Sequence, residues 1–166
     1  MAARPLIVYP DPRLRVRAEP ILTFDEGVRT LAADLLDTLG AVSAIGLTAC
    51  HIGRPERLVV IRLQPDLAPV TYANPEIVWA SDVRASHDEG SVSMPGIIEP
   101  VERAAEVRLR YRDLDGVEQE EEADGFLAAC LQHEIDQLDG IFWIERLTRL
   151  RRERALKRFA KLRRGA

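Results

Sequence analysis

Apolar residues recur along this chain with two different periods. Leu31, Leu35, Leu36 and Leu39 stand at helical spacing and predict a first helix facing a core. Thr23-Phe24-Asp25-Glu26, just before them, reads as a capping box in which the Thr hydroxyl and Glu carboxylate satisfy orphan amides reciprocally. Gly40 marks the expected end of that helix. The period then falls to two. Leu58 to Leu63 and Val70 to Ala73 are short and rich in β-branched residues, and Val107, Leu109 and Tyr111 alternate with Arg108, Arg110 and Arg112, the pattern of a half-buried strand. Asp115-Gly116 predicts a hairpin turn into a return strand from Val117 to Glu122, whose acids suit an exposed sheet edge.

Helical spacing returns with Phe126, Leu127, Cys130, Leu131 and Glu134, behind Asp124 as the expected N-cap, and Asp139-Gly140 stops it. Ile141-Phe142-Trp143-Ile144 packs afterwards. A last helix carries Leu156, Phe159 and Leu162 as its apolar stripe. Strands gathered between helices predict an α+β fold rather than a doubly wound parallel sheet.

Composition adds boundaries. The 166 residues, 46% hydrophobic and 30% charged, suit one soluble domain over residues 1–166. Runs such as Leu58-Val59-Val60-Ile61 fall far short of the roughly 18 residues a membrane helix needs. Leu6 to Tyr9 is too short for a signal-peptide core, so a cytoplasmic protein is expected. Cys50 and Cys130 make no disulfide framework and read as packed residues. The net charge of -4 hides an asymmetry: residues 149–166 hold nine Lys or Arg and one acid, Glu153, leaving 14 basic and 26 acidic residues elsewhere. That basic C-terminal helix is either a solvated face or a docking surface for something acidic such as RNA.

Chemistry concentrates in Gln132-His133-Glu134-Ile135-Asp136-Gln137. A metal-binding HExxH helix sets two histidines one turn apart with a glutamate between them; here the second histidine position holds Gln137. Three separated segments together resemble the peptide deformylase family: AIGLTACHIG (44–53), EGSVSMPG (89–96) and QHEIDQLDG (132–140), with LIVYPDPRLRVRAEPI opening the chain and GIFWIERLTRLRRERALKR closing it. The resemblance covers nearly the whole chain in the family's order. It implies antiparallel or mixed β-sheets around a central HExxH-type helix, with a C-terminal helix after it.

The family hydrolyses the N-formyl group from formyl-methionyl nascent peptides. Its divalent metal (iron, zinc or nickel) is held by a cysteine and two histidines, and a glutamate moves the proton of the attacking water. Carried over, the cysteine falls on Ser91, the first histidine on His133 and the second on Gln137, while the glutamate is kept as Glu134. The oxyanion glutamine falls on His51 and the amide beside the cysteine on Val92, with Gly46 in the same pocket. His133 is thus the one retained family ligand. A neutral hydroxyl replaces a soft anionic thiolate, and an amide replaces an imidazole. Changes merely behind the ligands typically cost about 10- to 100-fold in metal affinity, so losing two ligands costs far more.

The resemblance leaves three functional readings open. In the favoured one the fold persists without the standard activity or a bound cofactor. The cleft then serves formylated or other peptide N-termini, the basic helix serves the ribosome, and neither membrane nor specific DNA is a partner. In this reading Ser91 and Gln137 hydrogen-bond to His133 where the metal was, and His133 pairs with Glu134. The second is an active enzyme with a rebuilt site of His51, His133 and Glu89 or Glu134, holding Fe, Zn or Ni. The third is a metal-free hydrolase using Ser91, activated by His133 or His51. His87 reads as a solvated loop residue, and Glu89 and Gly90 as shapers of a loop.

Overall fold

The computed structural model describes residues 3–166. Helix α1, Glu26–Ala41, buries Leu31, Leu35 and Leu39 as its spacing predicts. Its cap differs from the expected box: the Asp25 carboxylate accepts from the amides of Gly27 (2.9 Å) and Val28 (3.3 Å), and the helix starts at Glu26. Strands β1 (Gly46–Thr48), β2 (Leu58–Ile61), β3 (Val70–Ala80), β6 (Glu106–Arg112) and β7 (Glu118–Asp124) form one antiparallel sheet in the order β1-β2-β3-β6-β7. The acidic β7 lies at its edge, and Gly116 turns the β6–β7 hairpin at φ +79°. β3 runs seven residues beyond Ala73, past Pro75, because register shifts along its pairing with β6 absorb the interruption.

The larger departure is a second sheet. Strands β4 (Arg84–Ser91) and β5 (Met94–Ala104) make a two-stranded hairpin where the sequence reads as loop. Its alternation is masked because charged residues occupy many of its positions, including inward ones such as Glu89 and Arg103. The segment 89–96 is therefore a tight hairpin end, with Ser91 opposite Met94, and His87 is a strand residue.

Helix α2, Gly125–Leu138, passes between the sheets, contacting β1 and β7 on one side and β4 and β5 on the other. Asp124 occupies its N-cap position, but the side chain makes no capping hydrogen bond. Gly140 follows at φ +78°, where a Cβ would stand 2.6 Å from the Arg15 carbonyl oxygen.

Three apolar clusters hold these parts. Ala128, Leu131 and Leu138 of α2 meet Val59, Ile61, Tyr72, Val107 and Leu109 of the large sheet. Leu31, Leu35 and Leu39 of α1 meet Leu47, Leu58 and Val60. Helix α3, Arg149–Arg164, seats Ala155 and Phe159 against Ile97, Val101, Phe142 and Trp143. Leu162, expected in that stripe, is half exposed at the margin, within reach of Gly96. Among the described residues, no helix is long and apolar enough to cross a membrane.

Candidate functional site

A cleft of about 660 Å³ opens where the small hairpin, α2 and β1 converge. It gathers the residues that the sequence singles out: Gly46, His51, Ser91, Val92, His133 and Glu134 all line it. Gln137 does not. One turn beyond His133, it is buried and donates from Nε2 to the Leu14 carbonyl at 2.8 Å. Ser91 likewise does not bond to His133; its hydroxyl accepts from the Ser93 amide at 3.1 Å. The expected replacement network is therefore absent among the described residues, because each substituted side chain finds a backbone partner of its own.

His133 instead pairs with Glu89, Nδ1 to Oε1 at 2.7 Å, and the expected His133–Glu134 hydrogen bond is not formed. Glu89 hangs from the end of β4 and is clamped by Arg103 of β5, which lies 2.8 Å from it through Nη2. Arg103 is 4% exposed and also donates to Asp136 at 2.8 Å, and Arg146 closes the chain with two bonds to the same Asp136 carboxylate. Burial alone pushes the Glu89 carboxyl up, but the hydrogen bonds from Arg103 and His133 outweigh it and hold Glu89 at about 2. His133 moves the other way. Burial disfavours its charge, yet the bond to Glu89 and the nearby carboxylates raise its pKa above the ordinary value.

Sequence reasoning missed Arg103, Asp136 and Arg146 as parts of this site. The available signal was a charged pair at inward-facing positions of an alternating hairpin, readable only once the hairpin is recognised.

Glu134 has no such network. Glu134 is 5% exposed, and its Oε2 has no hydrogen-bond partner among the described residues. Burial pushes its carboxyl up to about 7. Gly46 makes this position possible, since a Cβ there would come 2.5 Å from Glu134 Oε1.

His51 sits on a 3-10 turn, Ala49–Ile52, that follows β1, so the segment is turned rather than extended. Its Nδ1 accepts the Thr48 amide at 3.0 Å, which assigns the ring proton to Nε2. That Nε2 is buried and unpartnered too. Burial, with His133 nearby, lowers the His51 pKa to about 3, so the ring is neutral. Cys50 is buried as expected, whereas Cys130 is half-buried and lines the cleft.

A polypeptide deformylase family model matches residues 3–153. The chain belongs to the peptide deformylase family. A deformylase-like protein of Brucella suis biovar 1 is 62% identical over 99% of this chain and 100% of its own length. A peptide deformylase of the same organism is 43% identical over 98% and 94%. The crystal structure of a peptide deformylase from Legionella pneumophila superposes with a TM-score of 0.92 at 37% identity, covering 98% of this chain and 96% of that one. The α+β architecture of helices and antiparallel sheets, with its C-terminal helix, is the deformylase fold.

The residues present do not make the deformylase ligand set that the resemblance implies. Ser91 offers a neutral hydroxyl, Gln137 turns its amide nitrogen to Leu14, and His133 has only its Nε2 left to offer, its Nδ1 being bonded to Glu89. Among the described residues, no group of three or more His, Cys, Asp or Glu side chains is arranged to hold a metal ion.

Proposed function

We propose that this deformylase-family protein binds peptide N-termini in its cleft without metal-dependent hydrolysis. The observation that carries this reading is the prior commitment of the would-be ligands. Gln137 faces Leu14, and the Nδ1 of His51 is taken by the Thr48 amide, leaving a proton rather than a lone pair on Nε2. A rebuilt site through His51 would first have to break that bond and reverse the tautomer. Without a bound metal a water molecule keeps its bulk acidity, and Glu134 has no activated nucleophile to serve. A serine mechanism finds no support either: Ser91 is hydrogen-bonded to Ser93, and no histidine nitrogen bonds to it among the described residues.

The cleft is built to take an apolar chain end. Val42, Ile45, Ile98 and Phe126 line it, and all four are exposed. That Brucella suis holds a deformylase and a deformylase-like protein together fits a division in which the second type is freed from the reaction.

On α3, Arg154, Lys157, Lys161 and Arg164 are exposed at helical spacing and have no ion-pair partner among the described residues, so we propose an RNA-bearing surface such as the ribosome as the docking partner. The test is metal content after anaerobic loading with Fe²⁺ or Ni²⁺ and dialysis, paired with formate release from formyl-Met-Ala-Ser. Little retained metal and no formate above buffer, with peptide binding intact, is the expected result. Near one metal per chain with formate release overturns the reading.

A further inference from the structure

Building on the peptide-binding cleft and the RNA-docking helix proposed above, we infer that the two sites are coupled through Glu99. Docking of RNA phosphates on α3 draws Arg158 away from Glu99 and weakens the cleft's hold on its peptide.

The hairpin that walls the cleft is also the seat of α3. Ile97 lines the cleft and belongs to the apolar cluster that holds Ala155 and Phe159 of the helix. Gly96, at φ +85°, lines the cleft as well, and a Cβ added to it would stand 3.0 Å from Leu162 Cδ1. Between Ile97 and Val101, Glu99 meets two arginines of the helix: Arg151 donates to it from Nη2 at 3.0 Å and Arg158 from Nη1 at 2.8 Å. Glu99 stands directly opposite Glu89 in the hairpin register, so both side chains leave the same face. Like charges placed opposite each other push two strands apart. Here each is matched from a different side, Glu89 by Arg103 and Glu99 by the α3 arginines. The clamp on Glu99 thus steadies the strands that carry Glu89, Ser91 and Ile97 to the cleft.

Arg158 is where that clamp can open. Its side chain is 52% exposed, against 35% for Arg151, which also donates to the Pro100 carbonyl at 2.6 Å. Around the helix, Arg158 lies about 40° from Arg154 and about 60° from Lys161, both without an ion-pair partner among the described residues. A phosphate backbone lying along that row therefore reaches Arg158 too, and its oxygens offer a guanidinium the same charge-assisted bonds that a carboxylate does. Glu99 is then left to Arg151 alone, across from Glu89, and the wall of the cleft loses preorganisation that peptide binding uses. The two states are a clamped one, with Arg158 on Glu99, and a released one, with Arg158 on phosphate. Linkage requires that bound peptide weaken RNA docking by the same factor.

The test is fluorescence anisotropy with C-terminally labelled Met-Ala-Ser, free and formylated, with and without a saturating short RNA stem-loop at constant ionic strength. RNA should weaken peptide binding about fivefold. Glu99→Gln keeps the shape and releases both arginines. It should bind peptide about fivefold more weakly without RNA, bind RNA more tightly, and lose nothing further when RNA is added. Arg158→Gln should likewise make peptide affinity indifferent to RNA while the thermal melt stays cooperative. If Glu99→Gln fails to fold, Arg158→Gln against the wild type decides. An RNA effect that persists undiminished in either folded variant means that RNA simply covers the cleft mouth, and it overturns the coupling. RNA binding that leaves peptide affinity unchanged in the wild type overturns the coupling and leaves both binding readings standing. No binding of RNA overturns the docking reading, no binding of either peptide overturns the peptide-binding reading, and each takes the coupling with it.

Discussion

Glu89 is hydrogen-bonded to His133 and Glu134 follows that histidine in the chain, and their carboxyls are held at about 2 and about 7 respectively. Both are buried. What differs is the company. Glu89 meets Arg103 and His133 inside a chain of ion pairs that continues through Asp136 to Arg146, and every link in it has hydrogen-bond geometry. Glu134 lines the cleft, and its Oε2 has no hydrogen-bond partner among the described residues. The difference teaches that the parts of the site are held in different ways: His133 and Glu89 are locked into a chain of ion pairs, and Ser91 and Gln137 bond to backbone groups. A buried carboxylate bonded to a cation stays charged and belongs to the scaffold, whereas a buried carboxyl with no bonded partner holds its proton to higher pH.

The most drastic way to break this contrast is to give the cleft the ligand set that the family resemblance implies. Ser91→Cys with Gln137→His should raise retained Fe²⁺ or Ni²⁺ from near none to near one per chain, read by elemental analysis after dialysis. Gln137→His must also surrender the bond to Leu14, and Ser91→Cys alone should retain little metal. A double variant that stays metal-free would show that the scaffold behind His133 has drifted as well. The next largest effect comes from the satisfied side. Arg103→Met leaves Glu89 and Asp136 buried without their shared cation, so it should cost about 3–5 kcal/mol in urea unfolding. A cost below 1 kcal/mol would mean that Arg146 and His133 suffice.

These two variants also separate what the sequence could reveal from what it could not. Ser91, His133, Glu134 and Gln137 were legible because motif spacing survives substitution, and the helix and edge-strand patterns were legible through apolar periodicity. Glu89's role was not. It depends on Arg103, a partner 14 residues away on a strand whose inward positions are themselves charged, so the alternation that reveals a strand was missing. The partners chosen by Ser91 and Gln137 were hidden for a related reason. A side-chain amide or hydroxyl bonds a backbone group as readily as a neighbouring imidazole, and composition does not say which backbone group lies near. His51's tautomer is of the same kind, since it follows from the turn that brings the Thr48 amide onto Nδ1.

A smaller effect is expected at Gly46. Its missing Cβ is what lets Glu134 lie against β1, so Gly46→Ala should displace the carboxylate at a cost of about 1–3 kcal/mol. A cost below about 1 kcal/mol in urea unfolding would mean that Glu134 takes up another position freely.

The finest comparison is between the two unsatisfied groups themselves, through pH. Between about 4.5 and about 7, folded Glu134 keeps a proton that the unfolded chain has lost, so stability falls as pH rises, by at most about 1.4 kcal/mol per pH unit. Between about 3 and 6.5, unfolded His51 takes up a proton that the folded ring refuses, so stability rises with pH by a similar slope. The windows overlap from 4.5 to 6.5, where the two slopes cancel and the wild-type profile should be nearly flat. Below 4.5, His51 is joined by Glu89, whose depressed pKa makes stability fall as the pH drops further. Above 6.5 the raised pKa of His133 adds to the loss, because its stabilising proton leaves as pH climbs. Glu134→Gln should therefore tilt the flat window upward with pH, and His51→Gln should tilt it downward. Chemical denaturation at half-unit steps of pH would resolve the opposed tilts. Two variants tilting the same way would mean that the two groups do not titrate independently.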